Sequence, residues 1–252
     1  MLVESYDAGH GVRMLVLNRP PANAINADLL ASLADQCRAA RDDENVRAVI
    51  IKGNGRFFSG GLDLKEAVAG TNRVGNLAGS RDDGLFILWT LPKPTVAMVD
   101  GHAIAGGVIM ALACDFRITL KGPQRFGLNE VAIGLAFPRG AFEIARLALS
   151  NQELRRVALE AGLFDCHRAL DLGIVDEVVE PIQLESRCVE LARRLGAHGG
   201  LAYAHTKEQI QAEAVARVLN QDIEDIHKVA RINQSEESRA LLAAQVNTMT
   251  RR

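Results

Sequence analysis

Several features are scarce in this sequence, and each scarcity excludes something. Aromatic residues make up only 4 % of the 252 positions, too few for the stacking platforms that bind single-stranded nucleic acid. Neither sign of charge dominates: 29 Lys and Arg face 31 Asp and Glu, a formal net charge of −2. That leaves no electrostatic footprint for nucleic acid or an anionic membrane. The most apolar stretch, Ala103 to Cys114, is bounded by His102 and Asp115, well short of the roughly 20 residues a bilayer span needs. The four cysteines, Cys37, Cys114, Cys166 and Cys188, form no CxxC pair, which reads as reduced thiols. The amino terminus carries acids and no basic segment leading into an apolar block, unlike a secretory signal or an Arg-rich transit peptide. The expectation is a cytoplasmic protein.

The common catalytic signatures are missing too. The histidines (His10, His102, His167, His198, His205 and His227) include no HxxxH pair, and no GxSxG elbow or P-loop occurs. Gly53-Asn54-Gly55 is followed by Phe58 where a dinucleotide fingerprint needs its third glycine. No metal or redox cofactor is expected.

What remains is an ordinary globular composition, 48 % apolar and 24 % charged, with chain enough for a large core. Strand-like runs (Met14–Leu17, Val46–Ile51, Thr95–Val99, Phe116–Thr119, Val175–Val179) alternate with helical patterns at Asp28–Arg41 and Ala105–Ala113. This alternation predicts an α/β core with parallel pairing. From Pro181 the strand signal fades and amphipathic patterns cover 182–197, 201–233 and 235–249. The expected organisation is a core over 1–195 and a helical C-terminal domain over 196–252. Val215, Val218, Leu219, Ile223 and Ile226 form one apolar stripe suited to a partner subunit. Val68 to Asp83, rich in Gly, Asn, Ser and charge, predicts a mobile loop.

Two segments join glycine pairs to strand-to-helix transitions: Phe58-Ser59-Gly60-Gly61-Leu62-Asp63 and Asp100-Gly101-His102-Ala103-Ile104-Ala105-Gly106-Gly107. Glycine allows a ligand close to the backbone, and a helix start offers unpaired N–H groups. Facing one another, such turns could clamp an oxygen that gains negative charge; as isolated patterns they serve equally well as packing turns.

Phe58-Ser59-Gly60-Gly61-Leu62-Asp63-Leu64-Lys65-Glu66, Val99-Asp100-Gly101 leading into Ala105-Gly106-Gly107, Cys114-Asp115, and Phe126-Gly127-Leu128-Asn129-Glu130 resemble the crotonase (enoyl-CoA hydratase/isomerase) superfamily. Asn18-Arg19-Pro20, Asn23-Ala24-Ile25-Asn26 and the run from Ala169 to Asp176 fit the same family. The resemblance implies a crotonase-like ββα spiral core with a helical C-terminal domain, assembled as a homotrimer or dimer of trimers. It also implies an acyl-CoA thioester substrate, with coenzyme A belonging to the substrate, and a place in fatty acid β-oxidation.

In that family two backbone N–H groups hold the thioester oxygen; carried over, they fall on Gly60 and Gly106. Hydratases resemble a two-glutamate arrangement, but the position three residues after Gly106 is Ile109, which can neither take a proton nor orient water. Glu130 keeps the second position. One carboxylate beside an oxyanion hole resembles the mitochondrial-type Δ3,Δ2-enoyl-CoA isomerases, in which a proton leaves C2 and returns at C4. Such a base should be desolvated, raising its pKa. Further implied substrate-binding positions are Ala22, Ala24, Ser59, Gly61, Leu62, Asp63, Leu64, Gly107 and Asn129. Leu62, Phe86, Trp89, Leu135 and Phe137 are candidates for an acyl tunnel, and Lys207 for a phosphate contact. The roles of Arg139 and Glu143, which follow the site loop, stay open, and a carboxylate from Glu143 would restore the hydratase pattern. Hydration, another crotonase reaction, and a silent acyl-CoA-binding subunit stay open beside the isomerase.

Overall fold

The chain winds through three repeats of one unit: a strand in a large sheet, then a short strand in a small one. The pairs are β3 (Ala48–Lys52) with β4 (Phe57–Ser59), β5 (Thr95–Val99) with β6 (His102–Ile104), and β7 (Phe116–Leu120) with β8 (Phe126–Gly127). With β1 (Val3–Asp7), β2 (Val12–Leu17) and β9 (Glu177–Val179), the large sheet runs β1-β2-β3-β5-β7-β9; the small one runs β4-β6-β8. Among the described strands only the β1–β2 pair is antiparallel. The computed structural model describes residues 1–69 and 81–250, so most of the expected Val68–Asp83 loop lies outside the described residues.

Period-two alternation divides the large sheet between two cores. Met14, Ile50, Met98 and Ile118 face helix α8 (Leu184–Gly196), against Leu184, Cys188, Leu191 and Leu195. Leu15, Leu17, Val49, Ile51, Ala97 and Val99 face the main core. β3 and β5 are covered on both sides, hence their nearly continuous apolar sequences. α1 (Ala27–Asp42) packs on the main-core side and is capped by Asn26, whose side chain accepts from the Leu29 N–H at 3.0 Å. The buried helix expected over 105–113 is α4 (Gly106–Leu112). The small sheet was not legible in the sequence, because strands of two or three residues are too short to show alternation.

Around this core lie α2 (Leu64–Val68), α3 (Gly84–Trp89), α5 (Arg139–Ala148), α6 (Asn151–Glu160) and α7 (Cys166–Asp171). The single pattern read over 201–233 is two helices, α9 (Gly200–Leu219) and α10 (Ile223–Asn233), followed by α11 (Glu236–Thr250). The break comes where Asp222 caps α10 by accepting from the Glu224 N–H. It also divides the apolar stripe. Val218 is buried, and Val215 and Leu219 pack on the main core, whereas Ile223 and Ile226 are 67 % and 42 % exposed. No helix among the described residues is long and apolar enough to cross a membrane.

Candidate active site

The three strands of the small sheet are parallel, so their C-terminal ends share one edge. β4 runs into Gly60-Gly61-Leu62, β6 into Ala105-Gly106, and β8 into Leu128-Asn129-Glu130. Ligands gather at this end of parallel strands because the connecting loops leave a crevice there. All three motifs singled out in the sequence therefore meet at one edge.

The first turn requires a correction. The Gly60 N–H donates to the Ala22 carbonyl at 2.8 Å and is not available to a substrate oxygen. Two residues on, Ile25 N–H donates to Gly61 O (2.7 Å) and Asp63 N–H to Ile25 O (2.9 Å). In such a bridge the intervening Leu62 N–H points away from Ile25, and no described residue accepts from it. Gly61 makes the reversal with φ +81°, a conformation that costs other residues dearly. On the second turn Ala105 is held at φ 52°, ψ −125°, a strained geometry of the kind found at functional sites. It is followed by Gly106, whose N–H also lacks a described acceptor. The two turns touch: a Cβ built on Gly106 would lie 3.7 Å from Leu62 N, and one on Gly61 3.0 Å from Gly106 N. Leu62 and Gly106 thus supply the paired free N–H groups, and Leu62 replaces Gly60. The signal in the sequence was the glycine at 61, since the residue after a left-handed turn is the one whose amide is redirected.

Three other expected binding residues build the turns instead. Ser59 is fully buried; its Oγ donates to Asn23 O (2.8 Å) and accepts from the Gly61 N–H (3.2 Å). Gly107 is a packing residue, because a Cβ there would fall 2.1 Å from Ser59 O. With Gly61, these lie behind the crevice and do not line it.

The crevice is a cavity of about 1530 Å³ whose lining includes Ala22, Ala24, Leu62, Asp63, Leu64, Gly106, Asn129 and Glu130. Phe86, Trp89, Ile109, Ile133, Leu135 and Phe137 make much of its wall apolar. Glu130 is 9 % exposed, and its Oε2 has no hydrogen-bond partner. Burial pushes its carboxyl up to about 7, against a smaller lowering by its own backbone N–H. The other lining carboxylates are Asp63, Asp83 and Asp225, and each is engaged. Asp63 caps α2 through the Lys65 and Glu66 N–H groups and meets Arg19 Nη2 at 2.6 Å. Burial alone would raise its pKa, but these partners hold it below the usual range. Asp83 caps α3, and Asp225 pairs with Arg139.

Glu143 does not supply the missing second acid. It is buried away from the cavity, with Oε2 at 3.0 Å from Arg146 and 2.9 Å from Arg217. Lys207 is not a free cation either: its Nζ lies 2.8 Å from Asp115 Oδ1, which fastens α9 to the core. The sequence reading missed the C-terminal helices as cavity walls. Ile226, Val229 and Asn233 of α10 and Leu242 and Val246 of α11 line it. Asn233 also clasps the loop after Glu130, its Oδ1 accepting from the Ala136 N–H at 2.7 Å. Among the described residues, no group of three or more His, Cys, Asp or Glu could hold a metal ion.

Residues 7–244 match the family model described as enoyl-CoA hydratase/isomerase. The chain belongs to this family. The carnitinyl-CoA dehydratase of Salmonella arizonae is 34 % identical over 195 residues, 77 % of this chain and 74 % of that protein. An enoyl-CoA hydratase from Mycobacterium ulcerans superposes with TM-score 0.79 at 29 % identity, over 91 % of this chain and 100 % of that one. Human mitochondrial Δ3,Δ2-enoyl-CoA isomerase superposes with TM-score 0.91 over 100 % of this chain and 99 % of its own, at 24 % identity; that likeness is one of fold. Because the three carry different reaction names, the reaction of this family member must be argued from its site.

Proposed function

We propose that this protein is a Δ3,Δ2-enoyl-CoA isomerase, moving the double bond of a 3-enoyl-CoA to the 2-position. The observation that carries the reading is the solitary state of Glu130, among the described residues the one lining carboxylate with a buried unpartnered oxygen, while Ile109 occupies the position of a hydratase's other acid. The thioester oxygen accepts from the Leu62 and Gly106 N–H groups. Glu130 removes a proton from C2; the C–H electrons form a C1–C2 double bond and the carbonyl pair moves onto the thioester oxygen, giving a dienolate that keeps its C3–C4 double bond and whose negative oxygen the two amides stabilise. The same carboxyl then returns the proton at C4, leaving the double bond between C2 and C3. Apolar Ile109, Ile133 and Leu135 keep water from adding to the product.

The test is an assay of the purified protein with 3-hexenoyl-CoA and 2-hexenoyl-CoA in parallel. Conversion of the first with little hydration of the second is expected; efficient hydration of the second would overturn the isomerase reading. The Salmonella relative favours a second reading, dehydration of a 3-hydroxyacyl-CoA. It requires another acid, and the engagement of Asp63, Asp83 and Asp225 counts against it. Binding of acyl-CoA with no turnover of any of these substrates would identify a silent subunit.

A further inference from the structure

A second cavity of about 510 Å³ lies behind the first, with Leu112, Cys114, Ala148 and Ile210 among its lining residues. Two residues, Trp89 and Ile144, line both cavities. We propose that these two side chains form a removable wall that sets the acyl-chain length limit, and that the second cavity is a distal acyl lobe which the wall closes off. The proposal rests on the acyl-CoA reading above and adds the determinant of chain length to it.

The wall is firmly held. Trp89 ends α3, is 3 % exposed, and meets Phe86 edge-on with ring centroids 6.1 Å apart and planes at 80°. Its carbonyl accepts from Gln211 Nε2 of α9 at 2.7 Å. Ile144 on α5 is 3 % exposed. An indole and a branched aliphatic side chain, both fixed by packing, form a barrier that cannot yield without moving neighbours. Beyond them much of the charged lining is engaged: Asp115 takes hydrogen bonds from Tyr203 (3.0 Å) and Lys207 (3.1 Å), and Arg117 pairs with Asp176 at 2.6 Å, although its Nε is buried without a partner. The surface that suits an incoming chain is the apolar part of the lining, Leu112, Cys114, Leu147, Ala148 and Ile210.

Affinity for saturated acyl-CoAs from four to eighteen carbons, measured by calorimetry, tests this without depending on the reaction. In the natural protein each methylene should tighten binding by up to about fourfold, from the free energy of burying a CH2, until a plateau where the chain meets the wall. In Trp89→Ala the plateau should move to longer chains. Ile144→Ala, a smaller truncation, should move it the same way and keeps the test decisive if Trp89→Ala does not fold. Adding Ala148→Trp, which fills the lobe from its own side, should return the plateau of either variant toward its original position. A plateau unmoved in folded variants would overturn the wall and leave the acyl-CoA reading standing. Absence of binding at every chain length in the natural protein would overturn that reading, and the wall with it.

Discussion

Glu130 combines two properties that conflict. Its carboxyl is buried enough to titrate near 7 instead of 4.5, which suits a base that must both take and return a proton at neutral pH. On the proposed role of Glu130 as base, kcat/KM should fall about tenfold per pH unit below 7, as the base becomes protonated; a profile flat down to pH 5.5 would exclude Glu130 as the base. Burial also carries a stability cost with a definite sign. Between pH 4.5 and 7 the native state holds a proton that the unfolded chain has released, so stability from this group is fully present below 4.5 and is lost as pH rises through 7. The difference amounts to roughly 3 kcal/mol. Glu130→Gln should therefore cut turnover at least a hundredfold, the low end for general acid–base catalysis, while raising the melting temperature at pH 8. The gain in melting temperature should shrink as pH falls and vanish near pH 4; equal gains at pH 8 and pH 4 would place its origin elsewhere.

At the scale of elements, the donors belong to turns and not to side chains. Replacing Leu62 by its α-hydroxy acid analogue turns one amide into an ester and deletes one N–H while keeping the side chain. The expected loss is 100- to 1000-fold in kcat, as for other oxyanion donors; the same replacement at Gly60 should instead weaken the bond to Ala22 and cost about 1 kcal/mol of stability. A larger kinetic effect at 60 than at 62 would reverse the assignment. α9 offers a second test. Lys207→Met leaves Asp115 without its cation partner in a largely buried position, which should destabilise the fold by about 3 kcal/mol in denaturant melts. Coenzyme A affinity should hold, since Lys207 is not on the substrate cavity; loss of affinity without loss of stability would restore the phosphate contact suggested by the sequence.

Across the whole molecule, the crevice is built from segments far apart in the chain, with the small sheet as floor and α10 and α11 as cover. α10 has no buried residue of its own, and Ile223 and Ile226 stay exposed, as does Ile210 of α9 at 64 %. We propose that these apolar side chains are covered in a homotrimer or dimer of trimers. Light scattering should give three or six times the 27.2 kDa chain mass, and Ile226→Glu should lower it; a natural protein of single-chain mass would exclude this assembly.

The α/β class, the helical tail and the two glycine turns around 60 and 106 were legible because hydrophobic period and local turn chemistry are written in neighbouring residues; Glu130 was reached only through the family resemblance. Ile109, the feature that turns the reading from hydratase to isomerase, was also visible, since it is an identity at one position. The sequence could not tell Leu62 from Gly60 as donor: which amide is free depends on Ala22 and Ile25, about forty residues away. Nor could it show that Ser59, Gly61 and Gly107 support the turns, or that Glu143 and Lys207 are tied into ion pairs. Pairing, burial and desolvation arise between residues remote in the chain, so only the tertiary structure decides which polar groups are already satisfied and which remain free to do chemistry.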